Sequence, residues 1–194
     1  VALITLEMSR TQIAMRALAA HSQVSHYRLK RGFLDAPAWQ ALSKAANLLA
    51  PLPFYLVEMA NGNMGEVLEL AGRLQLQHGI QALAIDNMNL LQGGREYKYM
   101  SENSRLVKAG ATEMKMPFLA LYQLKREIDD RPDKHPTLTD LKQSGEIEND
   151  ADVVLFIYRE KERGETIPQN IAEIIIAKHR NGPIGAIKLY FDNQ

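Results

Sequence analysis

Two acidic residues in this chain close apolar runs, Glu7 after Val1–Leu6 and Asp86 after Ala82–Ile85. Open α/β sheets place ligand-handling groups at the carboxyl ends of their strands. An acid there can hold a magnesium ion and its waters against nucleotide phosphates, and a second acid beside it can polarise a water. The pairing requires the strands over 1–6 and 80–85 to be neighbours. Duller roles compete: Asp86 can cap the loop that follows it, and Glu7 can favour the N-terminus of a helix starting near Ser9. Gln123 closes a third run, Leu119-Ala120-Leu121-Tyr122. Its neutral amide can donate to a γ-phosphate or simply face solvent.

Further along, Lys178, His179 and Arg180 stand beside the turn residues Asn181-Gly182-Pro183. A planar, permanently charged Arg on a rigid turn suits insertion into a neighbour's phosphate site, although charge runs at turns are usually just solvated. His179 has no second imidazole or acid at metal-ligand spacing. The segment Thr139–Asp152 is dense in polar groups and leads into an apolar run. Its Lys142-Gln143-Ser144-Gly145 stretch can present amides and one cation to a polyanion backbone. The acids that follow would repel such a backbone, so they suit helix capping and tethering of the loop.

The elements that must position these groups follow from the apolar pattern. Strands are expected at Val1–Leu6, Phe54–Val57, Ile80–Ile85, Phe118–Leu121, Val153–Tyr158, Ile171–Ala177 and Ile184–Tyr190. Five of them are uninterrupted by charge, as burial on both faces requires. Between the first four lie helical segments: one capped by Ser9 with Ile13, Ala17 and Leu18 on one face, and one started by Asp35 and running through Leu42 to Leu49. A third begins at Asn63, carries the stripe Met64, Val67, Leu68, Ala71 and Leu74, and ends at Gly79. A fourth covers about Ser101 to Lys115 and stops before Pro117. This alternation predicts an α/β fold with a mostly parallel sheet flanked by helices. The last three runs are joined by stretches too polar and broken for crossover helices, so antiparallel strands are expected near the C-terminus. Long loops are expected at 87–100 and 129–136.

Composition narrows the classes. The chain has 194 residues, 46% apolar, enough for one ordinary core. It has no Cys, so a metal must be held by oxygen or imidazole and no disulfide framework exists. No apolar run approaches the ~18 residues of a spanning helix. Basic and acidic residues both total 23, so any nucleic-acid contact must be local. The first 97 residues hold 8 basic and 7 acidic side chains and the rest hold 15 and 16, which concentrates charge chemistry in the second half. The opening directly on an apolar run suggests a piece of something longer.

Taken together, Leu6-Glu7-Met8, Ile85-Asp86, Ala120-Leu121-Tyr122-Gln123-Leu124, the run Asp140–Asp152 and Ile175–Pro183, in this order and spacing, resemble the motor domain of DnaB-type replicative DNA helicases. The resemblance covers nearly the whole chain. It implies a RecA-like core, with residues 1–194 as a single motor domain truncated on its N-terminal side. It also implies a ring homo-hexamer that uses ATP and magnesium to move along single-stranded DNA and unwind duplex DNA during replication. A primase and a helicase loader are the further partners it suggests, and the setting is the cytoplasm of a bacterial or phage-infected cell, with no membrane role. By position, Glu7 matches the acid that activates the attacking water, and Asp86 the Walker B acid that supports magnesium through water. Gln123 resembles the γ-phosphate sensor. Lys178 and Arg180 resemble the basic pair, Arg180 as arginine finger, that reaches into the next subunit's nucleotide. Lys142, Gln143, Ser144 and Gly145 resemble the DNA-contacting loop of the central channel.

Several positions depart from that family's pattern. No Gly-x-x-x-x-Gly-Lys-Ser/Thr run occurs in these residues; the family's would lie before Val1, so this stretch alone is expected to be inactive. Asn87, Met88 and Asn89 stand where an aromatic, a Leu and a Gln are usual. Tyr122 replaces a usual Ser, Lys142 and Gln143 replace Arg and Glu, and Gly110 replaces a customary Leu. Two other functions remain open: a RecA-fold ATPase of recombination or regulation, and a non-catalytic remnant that only oligomerises.

Overall fold

A computed structural model describes residues 1–92, 97–124, 131, 133–159 and 170–191, with the backbone alone at 97 and 142–145. In chain order the elements are β1 (Ala2–Thr5), α1 (Arg10–Ser22), α2 (His26–Arg31), α3 (Ala36–Leu49), β2 (Tyr55–Glu58), α4 (Met64–His78) and β3 (Leu83–Asp86). They continue with α5 (Tyr97–Glu113), β4 (Phe118–Ala120), α6 (Gly145–Asp150), β5 (Val153–Tyr158), β6 (Ile171–His179) and β7 (Gly185–Tyr190). Each expected strand is present; β5 has the expected bounds, and the others differ by one to three residues at an end.

The helix starts follow local chemistry. Ser9 and Gln12 form a reciprocal cap, with the Gln12 N–H donating to Ser9 Oγ at 3.2 Å and the Ser9 N–H donating to Gln12 Oε1 at 2.9 Å. Asn63 and Glu66 repeat the arrangement at α4, and the Asp35 carboxylate accepts from the Ala38 N–H at 3.0 Å. Gly79 ends α4 at φ 63°, a left-handed position that Gly takes without strain. Met64, Val67, Ala71 and Leu74 of the expected stripe are buried, and Leu68 packs against them. In α1 the face is rotated from expectation: Ala19 is buried and Ala17 exposed, because this helix docks chiefly against α3 rather than on the sheet. The short α2 carries no apolar stripe long enough to reveal it. Helix α5 begins at Tyr97, inside the expected loop 87–100. Part of that loop, and part of the one at 129–136, falls outside the described residues.

The first four strands form a parallel sheet in the order β2-β1-β3-β4. Ala2, Ile4, Leu83 and Ile85 are buried to 1% exposure or less, under Met64, Val67 and Ala71 of α4. The last three form an antiparallel sheet in the order β5-β6-β7, as the polar connections required. A second core gathers Leu141, Ile147, Val154 and Phe156, and Tyr122 packs against both cores.

Gly110 marks the closest approach of α5. A Cβ there would lie 2.4 Å from Leu68 Cδ2 and 3.1 Å from the Phe118 ring, whereas one at Gly72 of α4 meets only a Met114 methyl at 3.8 Å. Gly110→Leu should therefore cost roughly 1–3 kcal/mol by overpacking. Gly72→Ala should stabilise by up to about 1 kcal/mol through helix propensity alone. Urea midpoints of the two variants beside the parent check the opposite signs.

Candidate functional site

Register decides what meets at the sheet edge. Thr5 of β1 lies opposite Glu58 of β2 on one side and Asp86 of β3 on the other, so three carboxyl ends finish level. Beyond Thr5 the backbone stays pinned: the Leu6 N–H donates to the Asp86 carbonyl at 2.6 Å. The buried Thr5 hydroxyl closes the bend, accepting from the Met8 N–H and donating to the Met8 carbonyl, both at 3.0 Å. Glu7 thus projects from a fixed bend beside the end of β3, the neighbour relation that paired chemistry demands. It does not lie in the first turn of α1, which has no acid there.

Asp86 is half-buried, and its carboxyl is raised above the ordinary range, first by burial and then by the charge of Glu7, with Arg16 opposing. The two acids therefore feel each other. Among the described residues no backbone N–H of the following loop reaches the Asp86 carboxylate, which sets aside the loop-capping role. Glu58, the third acid at this edge, accepts from the Arg10 backbone N–H and pairs with the Arg10 guanidinium at 3.6 Å, so it serves the start of α1.

The donor set suits a hard cation. Glu7 and Asp86 offer only oxygen, and their repulsion is what a divalent ion relieves. No cluster of three metal-ligating side chains occurs among the described residues. A magnesium ion at Asp86 would thus keep waters and take phosphate oxygens, as that ion commonly does.

After β3 the chain passes through a cis Asp86–Asn87 peptide into a short 3₁₀ turn at Met88–Leu90. Asn87 is buried, and its Nδ2 donates to Glu7 Oε2 at 2.7 Å. Asn89 Oδ1 accepts from the Gln123 backbone N–H at 2.8 Å. With the Leu121 N–H donating to the Ile85 carbonyl and the Met88 N–H to the Leu121 carbonyl, β3 and β4 remain tied past their ends. Gln123 is thereby held at the same edge with its side chain exposed. Asn87 and Asn89 were missed as participants, although their place just past an acid at a strand end was the available signal. Burial pushes the Tyr122 hydroxyl up, with Asp150 adding to it, so Tyr122 is a packing residue here.

Lys178 and Arg180 form a second cluster, away from the acids. Lys178 Nζ donates to the Glu148 carbonyl, and Arg180 Nη2 donates to the Asn149 carbonyl at 3.2 Å, both at the C-terminal end of α6, where cations are favoured. Arg180 Nη1 pairs with Asp152 Oδ1 at 2.7 Å, and its backbone N–H donates to the Asp152 carbonyl at 2.8 Å. The other Asp152 oxygen holds Lys108 Nζ of α5 at 2.6 Å. Ser104 donates to Asp150 at 2.7 Å and Arg105 pairs with Glu146, so one face of α5 clamps the length of α6. The stretch read as an open loop is helical: a 3₁₀ turn at Leu138–Ser144, begun by Asp140 accepting from the Thr137 N–H at 2.7 Å, runs straight into α6. The side chains of Lys142, Gln143, Ser144 and Gly145 lie outside the described residues.

The Asp152 carboxyl sits below its ordinary value of 3.8, chiefly through the Lys108 hydrogen bond, with Lys108, Arg180 and Lys178 charges adding. A depressed folded value means stabilisation that is present above 3.8 and lost as pH falls through the lowered value. Lys108→Met should therefore be less stable than the parent near neutrality by up to about 1 kcal/mol, the range of exposed pairs. That difference should shrink as pH drops below 3.8. Urea melts across a pH series check it.

Comparisons with known proteins bear on the family and the fold. The family model for the DnaB-like helicase C terminal domain matches residues 1–194. The chain is 37% identical over 197 residues to the replicative DNA helicase DnaB of Geobacillus stearothermophilus, covering 98% of this chain and 43% of that protein. It is 38% identical over 197 residues to the replicative DNA helicase DnaC of Bacillus subtilis, with the same coverage. Thus it spans under half the length of these curated relatives. Among solved structures, one of an ATPase domain superposes with a TM-score of 0.89 at 29% identity, over 98% of this chain and 70% of that one. A DnaB-like replicative helicase, described with its interactions with primase, gives 0.91 at 29% identity, over 100% of this chain and 48% of that one. These neighbours are RecA-like helicase domains, so the expected fold stands. With its parallel sheet, level acidic edge and antiparallel C-terminal layer, the chain belongs to the DnaB-like helicase C-terminal domain family.

Proposed function

We propose that residues 1–194 are the motor part of an ATP-driven ring helicase that translocates on single-stranded DNA and unwinds duplex DNA in replication. The observation that carries this reading is the β1–β3 register, which sets Glu7 beside Asp86 at the carboxyl edge of the parallel sheet, with Gln123 held past the end of β4 at the same edge. In this reading Glu7 takes the proton of the attacking water as the water oxygen bonds to the γ-phosphorus and the bond from that phosphorus to the β–γ bridging oxygen breaks, with ADP as leaving group. Asp86 holds a hydrated magnesium ion, whose bound chemistry is to neutralise charge on the phosphate oxygens. The exposed Gln123 amide donates to the γ-phosphate. Lys178 and Arg180 are held at α6 rather than at the edge that carries Glu7 and Asp86. That separation supports a site shared between subunits, with Lys178 and Arg180 serving the neighbour's nucleotide in a homo-hexamer. The turn containing Lys142, Gln143, Ser144 and Gly145 meets the DNA backbone, and it is continuous with the helix that carries the cationic pair's anchors. A cytoplasmic setting, a primase and a helicase loader complete the proposal. No helix among the described residues is long and apolar enough to cross a membrane.

Two expected outcomes test it in the complete protein. Arg180→Ala should abolish ATP turnover, ~10³-fold or more, with nucleotide affinity nearly intact, and rings mixed from Arg180→Ala and Glu7→Gln subunits should regain activity at some interfaces. Mixed rings no more active than either parent, despite proven co-assembly, contradict the shared site. Lys142→Ala should weaken single-strand binding equally for all sequences, because phosphate contacts carry no base information. It should also lower the slope of log K against log salt by ~0.7 per lost contact. Fluorescence anisotropy of a labelled oligonucleotide across a salt series measures both.

A further inference from the structure

Asn87 is 4% exposed, yet only one end of its amide is used. Nδ2 donates to Glu7 Oε2 at 2.7 Å, while Oδ1 has no hydrogen-bond partner among the described residues. Burying an unpaired carbonyl oxygen disfavours folding, and a leucine, close to asparagine in shape, would fill the same space beside buried Met88 without that penalty. Packing therefore gives no reason for an amide here. The reason available is the N–H it extends to Glu7.

Glu7 needs such a partner. Its side chain is exposed, Asn87 is its one side-chain hydrogen-bond partner among the described residues, and an unrestrained Glu spreads over many rotamers. A base must stand within hydrogen-bond reach of the proton it removes, and small misplacements are costly in rate. The donor itself is rigid: Asn87 sits on a backbone anchored by the Leu6–Asp86 and Met88–Leu121 hydrogen bonds. The same turn fixes Gln123 through Asn89. One short segment, at the positions where this chain departs from the family's usual aromatic and Gln, therefore touches the Glu7 carboxylate and the Gln123 backbone.

We propose that Asn87 is a positioning residue for hydrolysis: its side-chain N–H pins Oε2 of Glu7 and so presents Oε1 to the attacking water. The proposal rests on Glu7 being the base. No atom of Asn87 enters the reaction; the proton passes from water to Glu7.

The test uses the complete protein with ATP, comparing Asn87→Leu, Glu7→Gln and the double variant in kcat, KM, nucleotide affinity and Tm. Asn87→Leu should lower kcat about 10-fold, leave KM and nucleotide affinity near the parent's, and leave Tm equal or higher. In the Glu7→Gln background it should cost nothing further, since there is no carboxylate left to position. A kcat at or above the parent's in Asn87→Leu, with Glu7→Gln strongly impaired, overturns the proposal and spares the base assignment. Parent-like turnover in Glu7→Gln overturns the base assignment itself. Equal losses in both backgrounds, or a lowered Tm with weakened nucleotide binding, make Asn87 structural. If Asn87→Leu does not assemble, Asn87→Asp decides, since it keeps the shape, removes the donors and faces Glu7 with a like charge. A parent-like kcat there overturns the proposal.

Discussion

Everything at the acidic edge depends on β1 pairing with β3 in parallel, with Thr5 opposite Asp86. Strand residues alternate between faces, so a slip of one position would turn Ile4 and Ile85 out of the core. Both are fully buried, under Met64, Val67 and Ala71 of α4, so the register is fixed by the same contacts that hold the domain together. The edge inherits that precision. Each strand stops where its last buried residue is satisfied, and the next polar residues emerge side by side without any element devoted to aligning them.

The second sheet obeys a different rule. Strands β5, β6 and β7 are antiparallel neighbours in sequence, and β5 alternates between buried Val154 and Phe156 and exposed Val153, Leu155 and Ile157. One face is thus committed to the core that contains Leu141 and Ile147. Tyr122 belongs to both cores, directly before the exposed Gln123. A large ring at this position joins the two layers at the residue next to the site, where a serine would leave each core to close separately.

How far the sequence reveals this depends on the kind of signal. Apolar runs and caps were legible: Ser9, Asp35, Asn63 and Gly79 each act where residue type predicts, because capping is decided within four residues. Glu7, Asp86 and Gln123 were legible for a related reason, since each marks where an apolar strand runs out. What escaped involved long-range partners. Asn87 meets Glu7 across 80 positions, and Asp152 meets Lys108 and Arg180 across 44 and 28; nothing local in any of these residues announces its partner. Helix α2 and the helical turn at Leu138–Ser144 escaped because they are too short to display a 3.6-residue period.

The shared carboxylate of Asp152 has a mechanical implication. Its two oxygens hold two cations on different elements, Lys108 on α5 and Arg180 at the end of β6, and the group is about half exposed. When a guanidinium leaves such a site, the acid behind it is neither stranded nor dry: the ammonium stays, and water takes the vacated oxygen. Withdrawal is therefore cheap in electrostatic terms, unlike the breaking of a buried isolated pair. The backbone hydrogen bond from Arg180 to the Asp152 carbonyl holds the root of the side chain in place meanwhile. The root of Arg180 is thus fixed through the backbone, while its guanidinium is held only by groups that water can replace, Asp152 Oδ1 and the Asn149 carbonyl.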